Sequence, residues 1–218
     1  MKISQIDFGS FLTYSPYGET DIEKHSRTER TRLKRDEYRN IESKQTLMSD
    51  YLVELIKKRL DTLPFASFFN KNSVLIPAPS SSLSQPNSLW VPKRLANALV
   101  KMGLGKDVKP CLQRVKAVAK SSKSKSEDRP KVIDHYNSMA VQKILDEPKE
   151  ILVIDDIVTR GSTLLGAINK LTDAFPNVRI QGFAFMRTIT NSNEFESIVK
   201  PCTGKIILRD DGWPLRRP

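Results

Sequence analysis

Residues 151–163 read Ile151-Leu152-Val153-Ile154-Asp155-Asp156-Ile157-Val158-Thr159-Arg160-Gly161-Ser162-Thr163, an apolar run that meets two carboxylates and then a short polar loop. Beyond it Leu164, Leu165, Ile168 and Leu171 recur at helical spacing, Pro176-Asn177 marks a turn, and Val178, Ile180, Phe183 and Phe185 form a further apolar segment. Strand, helix and strand in that order make a βαβ unit. Such crossovers join parallel strands and are nearly always right-handed. The expected fold class is therefore α/β, a parallel twisted sheet flanked by helices.

In parallel α/β sheets, ligands bind beyond the carboxyl ends of the strands, where the loops into the helices converge. Asp155 to Thr163 falls there. Burying either carboxylate unpaired inside a continuing strand would be costly, so the pair is expected at a strand end facing polar partners. Adjacent carboxylates accept charge-assisted hydrogen bonds, and the 2′ and 3′ hydroxyls of a ribose offer two neighbouring donors. Thr159, Arg160, Gly161, Ser162 and Thr163 follow with hydroxyls, one glycine and the first backbone N–H groups of a helix, which favour a phosphate. Carboxylates followed closely by a phosphate cradle suit a sugar 5′-phosphate. The bland alternative is an ordinary strand-to-helix turn with a capping hydroxyl. GxGxxG and GxxxxGK[ST] are both missing, which disfavours a Rossmann dinucleotide site and a P-loop.

The thirteen residues resemble the phosphoribosyl pyrophosphate signature of type I phosphoribosyltransferases. Val74-Leu75-Ile76-Pro77-Ala78-Pro79-Ser80 is similar to the strand and pyrophosphate loop of the ComF-type members of that superfamily. The resemblance implies that Asp155 and Asp156 bind ribose hydroxyls, directly or through Mg²⁺-bound water. It also implies that Thr159 to Thr163 bind the 5′-phosphate and that Ala78, Pro79 and Ser80 meet the pyrophosphate. Arg114, Lys120, Ser121, Arg129 and Asn137 loosely resemble the family's mobile loop, so Lys120 and Arg129, with Lys123 and Lys125, would close over the leaving group and exclude water. The N-terminal cysteine zinc module of ComF-type proteins is missing, and the loop after Pro79 is rearranged, with Gln85-Pro86-Asn87 and Trp90.

Working outward, Leu52, Leu55, Ile56 and Leu60 predict an amphipathic helix over 46–60, capped by Thr46 or Ser49, and Leu95, Ala98, Leu99 and Met102 predict another over 92–102. Residues 2–17 are expected to form short strands. The charged stretch 24–44 has few large apolar residues and is either a solvated helix or an arm, while the Ser-rich, basic segment 119–130 is expected to be a mobile loop. Phe65, Phe68 and Phe69 are read as core rather than as a shield for a nucleobase, and His135 as an exposed structural residue rather than a substrate contact. The chain divides into 1–70, an N-terminal extension with hood elements; 71–190, the ligand-binding core; and 191–218, a C-terminal strand and basic tail.

No apolar run reaches the roughly 18 residues a transmembrane helix needs, and the N-terminus lacks the h-region of a signal peptide, so a cytoplasmic protein with no membrane partner is expected. Cys111 and Cys202 lie far apart, against a zinc ribbon or disulfide framework, and two histidines are too few for a metal cluster. A formal charge of +11 favours anionic partners. The functions that follow are Mg²⁺-dependent transfer of phosphoribose to or from a nitrogenous base, or a non-catalytic nucleotide sensor or nucleic-acid accessory protein linked, as the ComF resemblance implies, to DNA uptake. A third reading is a basic nucleic-acid protein with a vestigial ligand site. Expected partners are phosphoribosyl pyrophosphate or a nucleotide, nucleic acid on the basic stretches 27–39 and 213–217, and a second copy of the chain in a homodimer.

Overall fold

A computed structural model describes residues 1–83, 87–119, 129–144 and 146–218. In chain order the elements are β1 (Gln5–Tyr14), α1 (Asp21–Arg35), β2 (Tyr38–Ile41), β3 (Lys44–Leu47), α2 (Met48–Arg59), β4 (Ser73–Pro77), α3 (Val91–Lys101), β5 (Asp107–Val108) and β6 (Leu112–Arg114). They continue with α4 (Val132–Asn137), β7 (Met139–Val141), β8 (Glu150–Val158), α5 (Ser162–Ala174), β9 (Arg179–Thr188), β10 (Val199–Leu208) and β11 (Pro214–Arg217). A seven-stranded sheet has the order β11-β10-β1-β9-β8-β4-β5. Its five strands from β1 to β5 in that order pair in parallel, and β10 and β11 add antiparallel at the β1 edge. The fold is the α/β class that the βαβ reading predicts.

Alternation along β8 sorts the core into two layers. Leu152 and Ile154 pack with α2, α3 and the Phe65–Phe69 segment, whereas Ile151 and Val153 pack with α4 and α5. Phe65 and Phe69 each sit 4.9 Å from the ring of Phe183, edge to face, so the aromatic patch is core. No helix among the described residues is long and apolar enough to cross a membrane.

Several local expectations change. Residues 5–14 form one ten-residue strand between β9 and β10 rather than short strands, because Phe8 and Phe11 are buried in opposite layers. The sheet thereby draws strands from all three segments into which the sequence divides. The charged stretch folds as α1 and the β2–β3 hairpin. Its interior contacts are largely polar: Ser26 Oγ receives the Ser15 N–H, and buried Glu29 pairs with Arg32 and Arg39. Helix α2 begins at Met48 without a side-chain cap; Ser49 instead donates its N–H and its hydroxyl to Asp36, at 2.8 and 3.2 Å. The expected loop at 119–130 lies mostly outside the described residues.

Candidate functional site

The carboxyl ends of β4 and β8 are adjacent, with Pro77 opposite Ile154, and the Ala78 N–H continues the ladder by donating to the Ile154 carbonyl at 2.8 Å. That bond lays Ala78, Pro79 and Ser80 beside the aspartate pair. Ser80 is exposed, and its carbonyl is held by Arg114 Nε at 2.9 Å. Arg114 is buried, and its Nη1 donates to Ser138 Oγ at 2.5 Å. Burial drags its guanidinium down to about 10, while the negative charge of Asp155 opposes that shift. Arg114 therefore acts as a strut that fixes the Ser80 loop and places a positive charge behind Asp155.

The strand does not stop at the aspartates, as the sequence reading expects, but runs two residues further to Val158. Asp155 and Asp156 consequently follow the alternation of the residues before them. Asp156 lies in the α1 layer, 6% exposed, and both of its carboxylate oxygens accept from Lys34 Nζ, at 2.8 and 2.7 Å. Its buried charge is tolerated because α1 delivers an ammonium group to it. Asp155 is half-buried and faces the Arg114 layer. Loss of hydration, then repulsion from Asp156, pushes its carboxyl up to about 7, with Lys34 pulling the other way.

After Val158 the chain turns through Thr159 and Arg160 to Gly161, the N-terminal flank of α5. Gly161 has φ +98°, and an added Cβ would come within 2.6 Å of Ile206, so both backbone and space demand glycine here. No side chain caps α5. The first-turn N–H groups at Ser162 and Thr163 are the kind that receive a phosphate. Thr159 is fixed by its hydroxyl, 3.0 Å from that of Thr188, and by its carbonyl, which accepts from Arg216 Nε at 2.8 Å.

No protein-family model matches the chain, and no curated protein sequence does. Among solved structures it is similar to the xanthine-guanine-hypoxanthine phosphoribosyltransferase of Helicobacter pylori, at 12% identity over 67% of this chain and 82% of that one, with a TM-score of 0.30. It is similar to a hypoxanthine phosphoribosyltransferase from Staphylococcus aureus, at 10% identity over 69% and 88%, TM-score 0.33. It is also similar to the adenine phosphoribosyltransferase of Leishmania tarentolae, at 11% identity over 80% and 91%, TM-score 0.33. Overlap this slight leaves the functional reading to the site itself.

The sequence-predicted residues Ala78 to Ser80, Asp155, Asp156 and Thr159 to Thr163 thus come together at the ends of two neighbouring strands. Arg129 lies near the same loop, where its charge helps to hold the Arg160 guanidinium below its ordinary value, after burial. Lys120, Ser121, Lys123 and Lys125 lie outside the described residues. His135 is not exposed: it is 3% exposed between α4 and α5, where Gly166 leaves room for it, and burial and Arg114 hold its ring down to about 4, neutral at ordinary pH. Lys34 was missed. It is separated from Asp156 by 122 residues, so no local spacing reveals it.

Proposed function

We propose that this chain is a phosphoribosyltransferase-type protein that binds phosphoribosyl pyrophosphate or a nucleotide 5′-phosphate and transfers phosphoribose to or from a nitrogenous base. The observation that carries the reading is the convergence, at the ends of β4 and β8, of the Asp155 carboxylate, the uncapped start of α5 and the Arg114-braced Ser80 loop. These suit, in order, ribose hydroxyls, a 5′-phosphate and a pyrophosphate.

Breaking the bond between the anomeric carbon and pyrophosphate builds positive charge on the sugar and negative charge on the leaving group. Asp155 stabilises the sugar side by accepting from its hydroxyls. On the other side, the exposed backbone at Ser80 is held in place before the ligand arrives, so no reorganisation is needed at the moment of reaction. Among the described residues no three metal-ligating side chains cluster, and Asp156 is already neutralised by Lys34. The donor set fits Mg²⁺ only as an ion that arrives with pyrophosphate and keeps several waters, with Asp155 as its protein carboxylate; bound there it would neutralise the leaving group.

A second reading, a non-catalytic nucleotide sensor or nucleic-acid accessory protein, draws support from that same Lys34–Asp156 pair, which withdraws one of the two carboxylates from the ligand. A cytoplasmic location, a homodimer and nucleic acid on the basic surface belong to these readings as proposals. Calorimetric titration of phosphoribosyl pyrophosphate with Mg²⁺ tests the site: saturable binding that Asp155→Asn weakens by tenfold or more, about 1.4 kcal/mol, is the expected result. Pyrophosphate release with any nucleobase then favours the enzyme, and binding without release favours the sensor. An absence of binding by the folded wild-type protein overturns both.

A further inference from the structure

Packing alone does not account for a histidine at position 135. Helix α4 comes so close to α5 at Gly166 that an added Cβ would stand 2.8 Å from His135 Cβ and 3.0 Å from both the Val132 carbonyl oxygen and the Tyr136 nitrogen. Gly166 lies four residues after Ser162, so His135 is seated about 6 Å along α5 from its first residue. A leucine would fill such a seat without taking two ring nitrogens out of water. One of those nitrogens, Nε2, is buried and has no hydrogen-bond partner among the described residues.

The other nitrogen faces Arg114. Arg114 Nη2 stands 3.5 Å from His135 Nδ1, and since a guanidinium can only donate, Nδ1 accepts and the ring proton sits on Nε2. Burial, and then the charge of Arg114, keep the ring in this neutral, accepting form at ordinary pH. The rest of the guanidinium is held around the same residue. Nη1 donates to Ser138 Oγ at 2.5 Å and to the His135 carbonyl at 3.5 Å, and Ser138 Oγ donates to that carbonyl at 2.8 Å. Nε is thereby aimed at the Ser80 carbonyl, 2.9 Å away. Without an acceptor at Nδ1 a buried, charged N–H would be stranded, and the guanidinium would turn to find another, loosening its bond to Ser80.

We infer that His135 is a positioning residue for the ligand site: its Nδ1 fixes Arg114 on the Ser80 carbonyl and so ties the loop at the end of β4 to the helix that begins at the phosphate loop. The inference rests on the reading of the Ser80 loop as a pyrophosphate site. A ligand that carries a 5′-phosphate and a pyrophosphate on one ribose needs those two loops at a fixed separation, which a connection through buried side chains provides.

The test is amide hydrogen exchange over residues 78–83 in the wild type, His135→Leu, His135→Asn, Arg114→Met and the double variant Arg114→Met/His135→Leu. Asparagine carries its side-chain oxygen the same number of bonds from Cβ as Nδ1, whereas leucine fills the space without an acceptor. Exchange should be roughly fivefold faster in His135→Leu and close to wild type in His135→Asn, with the β9 amides unchanged in both. A packing role alone gives the reverse order, because asparagine leaves the larger cavity. In the Arg114→Met background leucine should add nothing, since the group through which His135 acts is gone. His135→Met replaces the leucine variant if that one does not fold. A loop as protected in His135→Leu as in the wild type, loosened by both substitutions, or loosened further by leucine in the Arg114→Met background overturns the inference. Calorimetric titration of inorganic pyrophosphate with Mg²⁺ separates this from the reading beneath it: affinity should fall in the variants whose loop is loosened. A folded wild type that binds no pyrophosphate overturns the reading of the loop's ligand, while the exchange comparison still decides the role of His135.

Discussion

Asp155 and Asp156 are neighbours in sequence and belong to opposite layers of the sheet, where they meet opposite electrostatic conditions. Asp156 is the more deeply buried, yet Lys34 reaches both of its oxygens. Asp155 is half-buried and has no ammonium of its own among the described residues; loss of hydration and then repulsion from Asp156 raise its carboxyl to about 7. Burial alone does not decide how such a group behaves; the partner does. The paired carboxylate ties α1 to the sheet, whereas the poorly compensated one is the group that gains most from a ligand donor or a cation. Arginines repeat the contrast, since Arg114 spends its donors on Ser80 and Ser138 while Arg187 and Arg216 keep buried N–H groups without partners among the described residues.

The largest expected effect comes from breaking the paired side. Lys34→Met leaves the Asp156 charge stranded and should destabilise the protein by about 3 kcal/mol, at the low end for a buried pair because the Lys34 side chain is itself 42% exposed. Urea unfolding at pH 7.5 measures it. The double variant Lys34→Met/Asp156→Asn should recover most of the loss. A single variant as stable as the wild type would mean that the ion pair does not hold α1.

On the other side the sign reverses. Asp155 titrates near 7 in the folded chain and near its ordinary 3.8 when unfolded. Between those values the folded state holds a proton that the unfolded state has released, so the stability due to this group falls as pH rises from about 4 to 7. Asp155→Asn should therefore be nearly neutral at pH 4 and stabilising by on the order of 2 kcal/mol at pH 8, after allowance for the partial exposure of the group. Melting curves in metal-free buffer at the two pH values check this. The same variant is expected to bind ligand worse, so stability and function would trade against each other at one residue. A pH-independent difference would show that Asp155 is not the strained member of the pair.

The sequence made the shared architecture of the two sides legible and hid their difference. Four apolar residues before the carboxylates and helical spacing after them specify β8, α5 and the parallel crossover, because burial and periodicity are local signals. Gly161 is readable for the same reason. Helix α1 is not readable as part of the core, since what it buries besides Leu33 is Glu23, Ser26 and Glu29, satisfied by hydrogen bonds that hydrophobic patterning does not register. Its contribution to the site, Lys34, meets Asp156 only after the chain has folded. The Arg114 strut depends in the same way on Ser80, His135 and Ser138 being brought around it.

The smallest effect probes whether α1 acts on the acidic pair as a rigid body. Thr20 and Glu23 form a capping box: the Thr20 hydroxyl accepts the Glu23 N–H at 3.4 Å, and Glu23 Oε2 accepts the Thr20 N–H at 3.1 Å. Removing the cap by Thr20→Ala should lower stability by about 1 kcal/mol. Lys34 lies fourteen residues further on, about 20 Å along the helix axis. If the cap affects only the first turn, Thr20→Ala and Asp155→Asn are distant and independent, and their effects on urea unfolding at pH 8 should add to within a few tenths of a kcal/mol. If the cap instead sets the angle at which the whole helix meets the sheet, its loss moves the Lys34 ammonium away from the carboxylates. The field that partly offsets the strain at Asp155 then weakens, and the benefit of Asp155→Asn becomes larger in the Thr20→Ala background. Additivity would leave Lys34 anchored by its own end of the helix, through Leu33 and the Asp36 turn that binds Ser49.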